Sequence, residues 1–539
     1  MDTHPPDSPA LAAGEDPTPG VGVDRRRFLA GAAAVAAGAT ATGAFLSQAQ
    51  AEAALPDAKK VAAKGGNPAD LEMHEAIALL WSRRLSSREL TKACLERIEE
   101  RDGELTAWAR VYADEAMAAA AAADRRLSLG TVLRYGPPSL VCGIPIGFKD
   151  IIAVGGKPLT AGSLALADNV APSDSFAWER AKLHGMVLLG HTKTQEFASG
   201  NSPQTAGNPF DPTKSPGGSS NGSGSAVGGR TVPVALGTDS GGSLRRPASA
   251  CNLTTIMGTY GRVSTRGIVT GNRASDHVGP LVRSAIDASL MFTVLAGRDP
   301  LDITTYAAPP PPTLYPVKPT GGAKPFRGMT FATTPNLPPI DTLAPGVRAV
   351  WERFLGEVVA MGATIVEKEM PPAPSVPGPS PESVLLHRDL FAAKGDLYST
   401  ANRTSVANNQ ANANNVTAIA RYEAEIRRGQ WVAGLQELFA GCDAIIQPCQ
   451  VAETPKRGDG SLNESGDLGR FGPGTVRGIW NSTGFPSLSV PAGLSPETSM
   501  PVGAQISGLP WTDGKLLQIA INYQHNTDYH ELQPERYAA

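Results

Sequence analysis

Residues 215–250 read SPGGSSNGSGSAVGGRTVPVALGTDSGGSLRRPASA, a run of glycine, serine and small apolar residues around a short apolar stretch. Glycine admits positive φ and lets backbone approach backbone, so such a run suits a close-packed turn, an anion-binding loop or a limp linker equally well. Its surroundings narrow the choice. Upstream, LVCGIPIGFKDIIAV from Leu140 has short strand-like character and GMVLLGHT from Gly185 is a buried-strand candidate, while VPVALGTDSGG from Val232 is a strand or helix segment ending in glycines. Downstream, GMTFATTP from Gly328 and CDAIIQPC from Cys442 look like core strands, and GFPSLSVPAG from Gly484 and PVGAQISGLPW from Pro501 like extended segments. Between them come helical patterns: DLEMHEAIALLWSRR, then SSRELTKACLERIEER with Ser86 and Glu89 three apart as in a capping box, then an Ala-rich stretch at 117–127. This alternation predicts an α/β fold with a buried sheet. The Pro-rich stretches at 309–312 and 371–381 and the Asn-rich stretch at 408–415 are expected to be surface excursions.

The 539-residue chain has a net charge of −3 and no basic tract beyond Arg25 to Arg27, which argues against a nucleic-acid partner. DRRRFLA at 24–30 leads into GAAAVAAGATATGAFL and then SQAQAEA, a pattern that resembles a twin-arginine export signal. Arg25 and Arg26 would be the pair, and Ala49-Gln50-Ala51 a small-residue cleavage site before Glu52. The Ala/Gly run is short and weakly hydrophobic for a span, so no stable membrane anchor is expected. The expected organisation is a signal at 1–51, a polar lead-in at 52–69 and one domain at 70–539, with the product on the secreted or cell-envelope side. Five scattered cysteines (Cys94, Cys142, Cys251, Cys442, Cys449) include no C-x-x-C or Cys/His cluster, so neither zinc nor a disulfide scaffold is expected.

Three readings of the serine-rich stretch compete. Residues 218–222 fit G-x-S-x-G, a nucleophile elbow on Ser220, but the elbow needs a strand before it and the sequence offers the Pro-broken NPFDPTKSP. A phosphate cradle lacks both a G-K-S/T ending and a strand-linked G-x-G-x-x-G. The third reading is a resemblance. PGGSSNGSGSAV, ALGTDSGGSLRRPASAC and TYGRVS resemble the signature of the amidase signature family of serine hydrolases, and GIPIGFKDI resembles its lysine segment. LSSRELTKACLERIEERDGELTAWA, GHTKTQEFA, DHVGPLVRSAIDASLMFTVLAGRDP, GFPSLSVPAG and PVGAQISGLPW resemble family-typical stretches in the same order, over roughly residues 70–520.

The resemblance implies one large α/β/α domain around a mixed sheet and places the family's catalytic lysine on Lys149, its bridging serine on Ser219 and its nucleophile on Ser243. It implies a cis peptide before Ser219, an oxyanion hole from the backbone N–H groups of Ser240, Gly241, Gly242 and Ser243, and no metal or cofactor. Asp239 and Arg245 would brace that loop, and Ser220 would orient the lysine and its relay. A serine hydroxyl must hand its proton to a base as it attacks, and the resemblance gives none of the eight histidines that role. A lysine serves only when neutral. At an ordinary pKa on the order of 0.04% is neutral at pH 7, so the apolar CGIPIGF before Lys149 would have to depress it by burial; the bland alternative is a surface lysine paired with Asp150. Departures from the family pattern are Asn221 in place of a glycine and CNLTTIMGT at 251–259, which bear on fine geometry and substrate preference. The expected activity is hydrolysis of a small-molecule or peptide amide by an exported enzyme through an acyl-enzyme on Ser243. Alternatives are the glutaminase subunit of an amidotransferase and an esterase using Ser220; a homodimer is left open.

Overall fold

The apolar runs become strands. In a computed structural model describing residues 55–64, 66–128, 139–199, 202, 205–269, 271–375, 378–458 and 475–537, β1 (Trp108–Val111), β2 (Pro145–Lys149), β3 (Val187–Thr192), β4 (Val234–Asp239), β5 (Thr254–Met257), β6 (His277–Val282), β7 (Thr330–Thr333), β8 (Thr364–Glu367), β9 (Ala444–Pro448), β10 (Ser487–Leu494) and β11 (Pro501–Ser507) form one eleven-stranded sheet in the order β1-β3-β2-β4-β6-β5-β10-β11-β9-β7-β8. Parallel pairs (β2 with β3 and β4, β7 with β8 and β9) adjoin antiparallel ones, so the sheet is mixed, as expected. The twin-arginine-like segment lies outside the described residues.

Strand register places the site. β2 and β4 run parallel with Phe148 opposite Leu236, so Lys149 ending β2 and Thr238 near the end of β4 emerge at the same carboxyl edge, where α/β sheets offer ligand sites. β6 runs antiparallel to β4 with His277 opposite Asp239, which brings Asp276 to that edge from the other direction. The Gly/Ser run is a close-packed element rather than a linker: helix Asn221–Gly228 is buried along its whole length. A Cβ on Gly222 would come within 2.4 Å of the Ala107 carbonyl oxygen, and the Ser223 hydroxyl donates to Leu236 O at 2.9 Å, tying helix to strand.

The N-terminal helices form where their periodicity predicts them, at Met73–Trp81, Ser87–Leu105 and Ala113–Ser128, and Ser86 and Glu89 make the capping box. The polar lead-in carries a short helix, Ala58–Lys64, that buries Val61. The stretches expected to be surface excursions at 371–381 and 408–415 flank two helices and run into them: the first ends on Pro381, which opens helix Pro381–Lys394, and the second begins inside helix Thr400–Ala411. Ser380 caps the first helix with Pro381 at its first turn, a position where the missing proline N–H does no harm. Part of the Asn-rich stretch thus ends a helix, and Asn409 lines a cavity. None of the five cysteines forms a disulfide, and among the described residues no helix is long and apolar enough to cross a membrane.

Candidate active site

Lys149 is fully buried. Its Nζ donates to Ser219 Oγ at 2.8 Å and to Thr238 Oγ1 at 2.9 Å. Asp150, the partner in the surface-pair alternative, turns instead to Arg110 and Thr160, so that alternative fails. Burial lowers the Lys149 ammonium to about 7, with the negative charges of Asp239 and Asp276 opposing a further fall. Roughly half of it is then neutral at pH 7, against a trace for a solvated lysine.

The peptide between Gly218 and Ser219 is cis. Ser243 follows Gly242, whose φ of 115° and contact with Arg477 leave no room for a side chain: a Cβ would lie 2.7 Å from Arg477 Cδ. The structure brings Lys149 and Ser219 together and leaves the Ser243 hydroxyl, in a residue 7% exposed, without a hydrogen bond to any described residue.

Asp239 organises the loop between them. Oδ1 accepts from the amide of Gly242 at 2.5 Å and from Asn481 Nδ2 at 3.0 Å, while Oδ2 accepts from the amide of Leu244 at 3.1 Å and Arg245 Nε at 3.0 Å. Arg245 is itself fully buried and also reaches Gln505 Oε1 at 2.8 Å and Asn481 Oδ1 at 2.6 Å. Burial would raise the Asp239 carboxyl, but Arg245 and these amides outweigh it and hold it well below the usual carboxylate range. Both residues brace the loop as expected. One expectation changes: the Gly242 N–H, one of the four amides expected to face an oxyanion, is given to Asp239, which leaves the amides of Ser240, Gly241 and Ser243 as the candidates in the loop.

Ser220 also differs from expectation. Its hydroxyl engages the backbone of Thr238, donating to the carbonyl at 3.2 Å and accepting from the amide at 3.3 Å. It therefore reaches the lysine only through Thr238, whose side chain is the second acceptor of Nζ. The elbow reading fails here too: no strand precedes Ser220, its residue is fully buried, and no histidine bonds to it. His191 bonds Tyr112 and the Ile152 carbonyl, and His277 the Ser275 carbonyl, so both are packing residues.

Sequence reasoning missed Thr238, Asp276, Asn481 and Gln505. Thr238 lies inside the stretch already singled out, next to Asp239. Asp276 receives a hydrogen bond from the Ser240 hydroxyl, and burial raises its carboxyl to about 7 against that bond and the Lys149 charge. Asn481 and Gln505 are more than two hundred residues from Arg245 and carry no local signal.

A cavity of ≈220 Å³ reaches this edge at Thr238, Ser240 and Asp276 and is roofed by His387 and Asn402 from the helices Pro381–Lys394 and Thr400–Ala411. A wider one of ≈610 Å³ shares Ser240 and Asn272 and opens past Arg428 and Trp431. The roof is held by Glu196, whose carboxylate accepts from Ser163 Oγ at 2.7 Å, the Ser399 amide at 3.1 Å, the Ser399 hydroxyl and Asn402 Nδ2 at 2.9 Å. Next to it Phe197 and Ala198 are both left-handed (φ 52° and 56°), an uncommon conformation for residues with a Cβ. Phe197 packs edge-on to His387 at 4.7 Å and stacks on Tyr398 at 5.1 Å.

The amidase family model matches residues 89–517. The chain is 33% identical over 494 residues to a glutamyl-tRNA(Gln) amidotransferase subunit of Chloroflexus aggregans, covering 86% of this chain and 98% of that protein. Among solved structures it resembles native peptide amidase from Stenotrophomonas maltophilia (TM-score 0.64, 26% identity, 85% of this chain and 96% of that one). It shares the fold of the same glutamyl-tRNA(Gln) amidotransferase subunit from Thermotoga maritima (TM-score 0.64, 24% identity, 86% and 96% covered). With a match across most of its length and a buried lysine bonded to a serine at the edge of the sheet, the chain belongs to the amidase signature family, whose members act on amide C–N bonds.

Proposed function

We infer that the protein hydrolyses a carboxylic amide through an acyl-enzyme on Ser243. The observation that carries this reading is a fully buried Lys149 whose ammonium meets two hydroxyls and no carboxylate. In its neutral form it takes the Ser243 proton by way of Ser219, and the amides of Ser240, Gly241 and Ser243 receive the negative charge that develops on the carbonyl oxygen; such donors are worth about 3 kcal/mol each. The protonated lysine then returns the proton to the departing amine, and water releases the acid. A serine-reactive phosphonate should label Ser243 alone, and Ser243→Ala should lower turnover by on the order of 10⁴-fold or more. Label on Ser219 or Ser220 would reassign the nucleophile.

Two settings fit this chemistry. The curated relatives favour a glutaminase subunit working with partner chains, since that is the assembly their name describes. The sequence at 24–51 favours a free-standing, exported amidase whose mature chain starts near Glu52. Replacing Arg25 and Arg26 by lysine should strand the precursor in the cytoplasm if the second is right. A chain that stays in the cytoplasm with or without that change, and hydrolyses glutamine only when partner subunits are added, would decide for the first.

A further inference from the structure

The ≈220 Å³ cavity has a donor in its roof. His387 is 6% exposed, and its Nδ1 lies 3.0 Å from the hydroxyl of Tyr398. Burial pushes the Tyr398 phenol up, so it keeps its proton, and Nδ1 is the acceptor it meets among the described residues. The ring proton is thereby assigned to Nε2. That nitrogen has no partner among the described residues, although the residue is nine-tenths buried and lines the cavity. Burial lowers the imidazole to about 4, against the opposing charge of Glu196, so at neutral pH the ring is an uncharged donor.

The rest of the lining fixes the complement. Asp276 and His387 are the ionisable groups among the described lining residues; no lysine or arginine joins them. Ile151, Ile268 and Val406 make the walls between them apolar. A carboxylate in this space would find no cation in the lining to offset its desolvation, and the Asp276 carboxyl, raised to about 7, would meet it either as a partial like charge or as an acid that must stay protonated, which is unfavourable in a site removed from water. An uncharged carbonyl would satisfy the Nε2 proton.

We propose that this cavity is the acyl-group subsite and that it takes amides whose acyl chain carries an uncharged hydrogen-bond acceptor, such as a peptide-like carbonyl, held by His387 Nε2, while disfavouring acyl chains that end in a carboxylate. The proposal rests on the amidase reading above. It also bears on the choice of setting, since free glutamine brings a carboxylate and a neutral peptide-like amide does not.

The test compares N-acetylglycinamide, hexanamide and succinamate, three amides of similar size, by ammonia release from the full-length enzyme. N-acetylglycinamide should exceed hexanamide about tenfold in kcat/KM, the worth of one neutral hydrogen bond, and the gain should lie in KM. Succinamate should fall about tenfold or more below hexanamide. His387→Phe should cancel the advantage of N-acetylglycinamide, and His387→Gln, which keeps a donor, should restore part of it. Calorimetric binding of the same amides to Ser243→Ala reads the subsite without the chemistry. The expected ranking in binding with no hydrolysis of any of them by wild type would support the subsite and sink the amidase reading. Succinamate ranking first, absence of any ranking, or a ranking unchanged in His387→Phe would overturn the subsite; if that variant does not fold, the wild-type ranking and His387→Gln decide.

Discussion

The floor and the roof of the cavity are built in opposite ways. The floor is the carboxyl edge of the central strands, where a fully buried aspartate and arginine share their hydrogen bonds with backbone amides and with Asn481 and Gln505 from distant parts of the chain. The roof is two helices held over that edge chiefly by one carboxylate, Glu196, with a bond from the Ser380 hydroxyl to the Gly271 carbonyl and a few packed rings. The floor can change only by leaving polar groups buried and unpaired, whereas the roof can shift by trading a handful of hydrogen bonds. One keeps the reacting groups in place; the other is where substrate preference can vary at little cost to the fold.

If that contrast is right, changes to the floor should damage chemistry on every substrate. The largest effect expected is that of Lys149→Ala, which on the proposed mechanism removes both the base and the acid. Amide hydrolysis should fall by about 10²- to 10⁴-fold, the usual worth of such assistance. A nitrophenyl ester with the same acyl group should lose less, because its phenolate departs without a proton. Wild-type activity should rise with pH through about 7, as the lysine becomes neutral, and the variant should lack that limb. Asp276→Asn removes a negative charge that holds the lysine pKa up, so the limb should move to lower pH. Equal losses on ester and amide with the limb intact would leave Lys149 a packing residue and erase the contrast.

Next in size is Asp239→Asn, read as stability. It leaves the Arg245 guanidinium buried without its counter-charge, a loss of about 3–5 kcal/mol for comparable pairs, measurable by urea unfolding. The Asp239 carboxyl is depressed in the fold, so its contribution is present above the unfolded value of about 4 and lost as pH falls through the lower folded value. A change below about 1 kcal/mol would mean that the loop is held by its backbone alone.

The same division governs what can be read from the sequence. The floor is legible because its groups cluster locally: Lys149 ends an apolar strand, and Ser219, Ser220, Asp239 and Ser243 fall within one Gly/Ser-rich stretch whose small residues are needed for a buried helix and a tight loop. What local pattern cannot give is the partner that arrives from elsewhere, which is why Asn481 and Gln505 escape it. It also misjudges Gly242 and Ser220, since whether an amide faces a substrate or an aspartate depends on backbone torsions that glycine leaves open. The ends of the roof read as loop because the prolines at 371–381 and the asparagines at 408–415 look like turn residues, and the stretch between them carries no strong helical pattern. There Pro381 starts a helix, and Asn402 is buried by Glu196 across two hundred residues of sequence.

The smallest expected effect, and the one that tests the roof most directly, belongs to Glu196→Gln. The carboxylate accepts from Ser163, Ser399 and Asn402, and every one of those partners is a donor. A glutamine of the same shape can keep its oxygen for Ser399 and Asn402 only by turning its N–H toward Ser163, whose hydroxyl must then accept instead of donate, and every bond to the side chain loses its charge assistance. Hydrogen bonds to a charged group contribute about 1.5–3 kcal/mol, and part of that loss is recovered if the Ser163 hydroxyl turns to accept. Nothing in the Lys149–Ser219 pair or the Asp239–Arg245 network touches this side chain. The variant should therefore raise KM about three- to tenfold for amides that fill the cavity under His387 and keep kcat within about twofold. For acetamide, too small to reach the roof, KM should change less. The pH limb of Lys149 should stay where it is. A fall in kcat that is the same for small and large amides, or a displaced pH limb, would show that Glu196 supports the reacting groups as well, and that roof and floor are one structure.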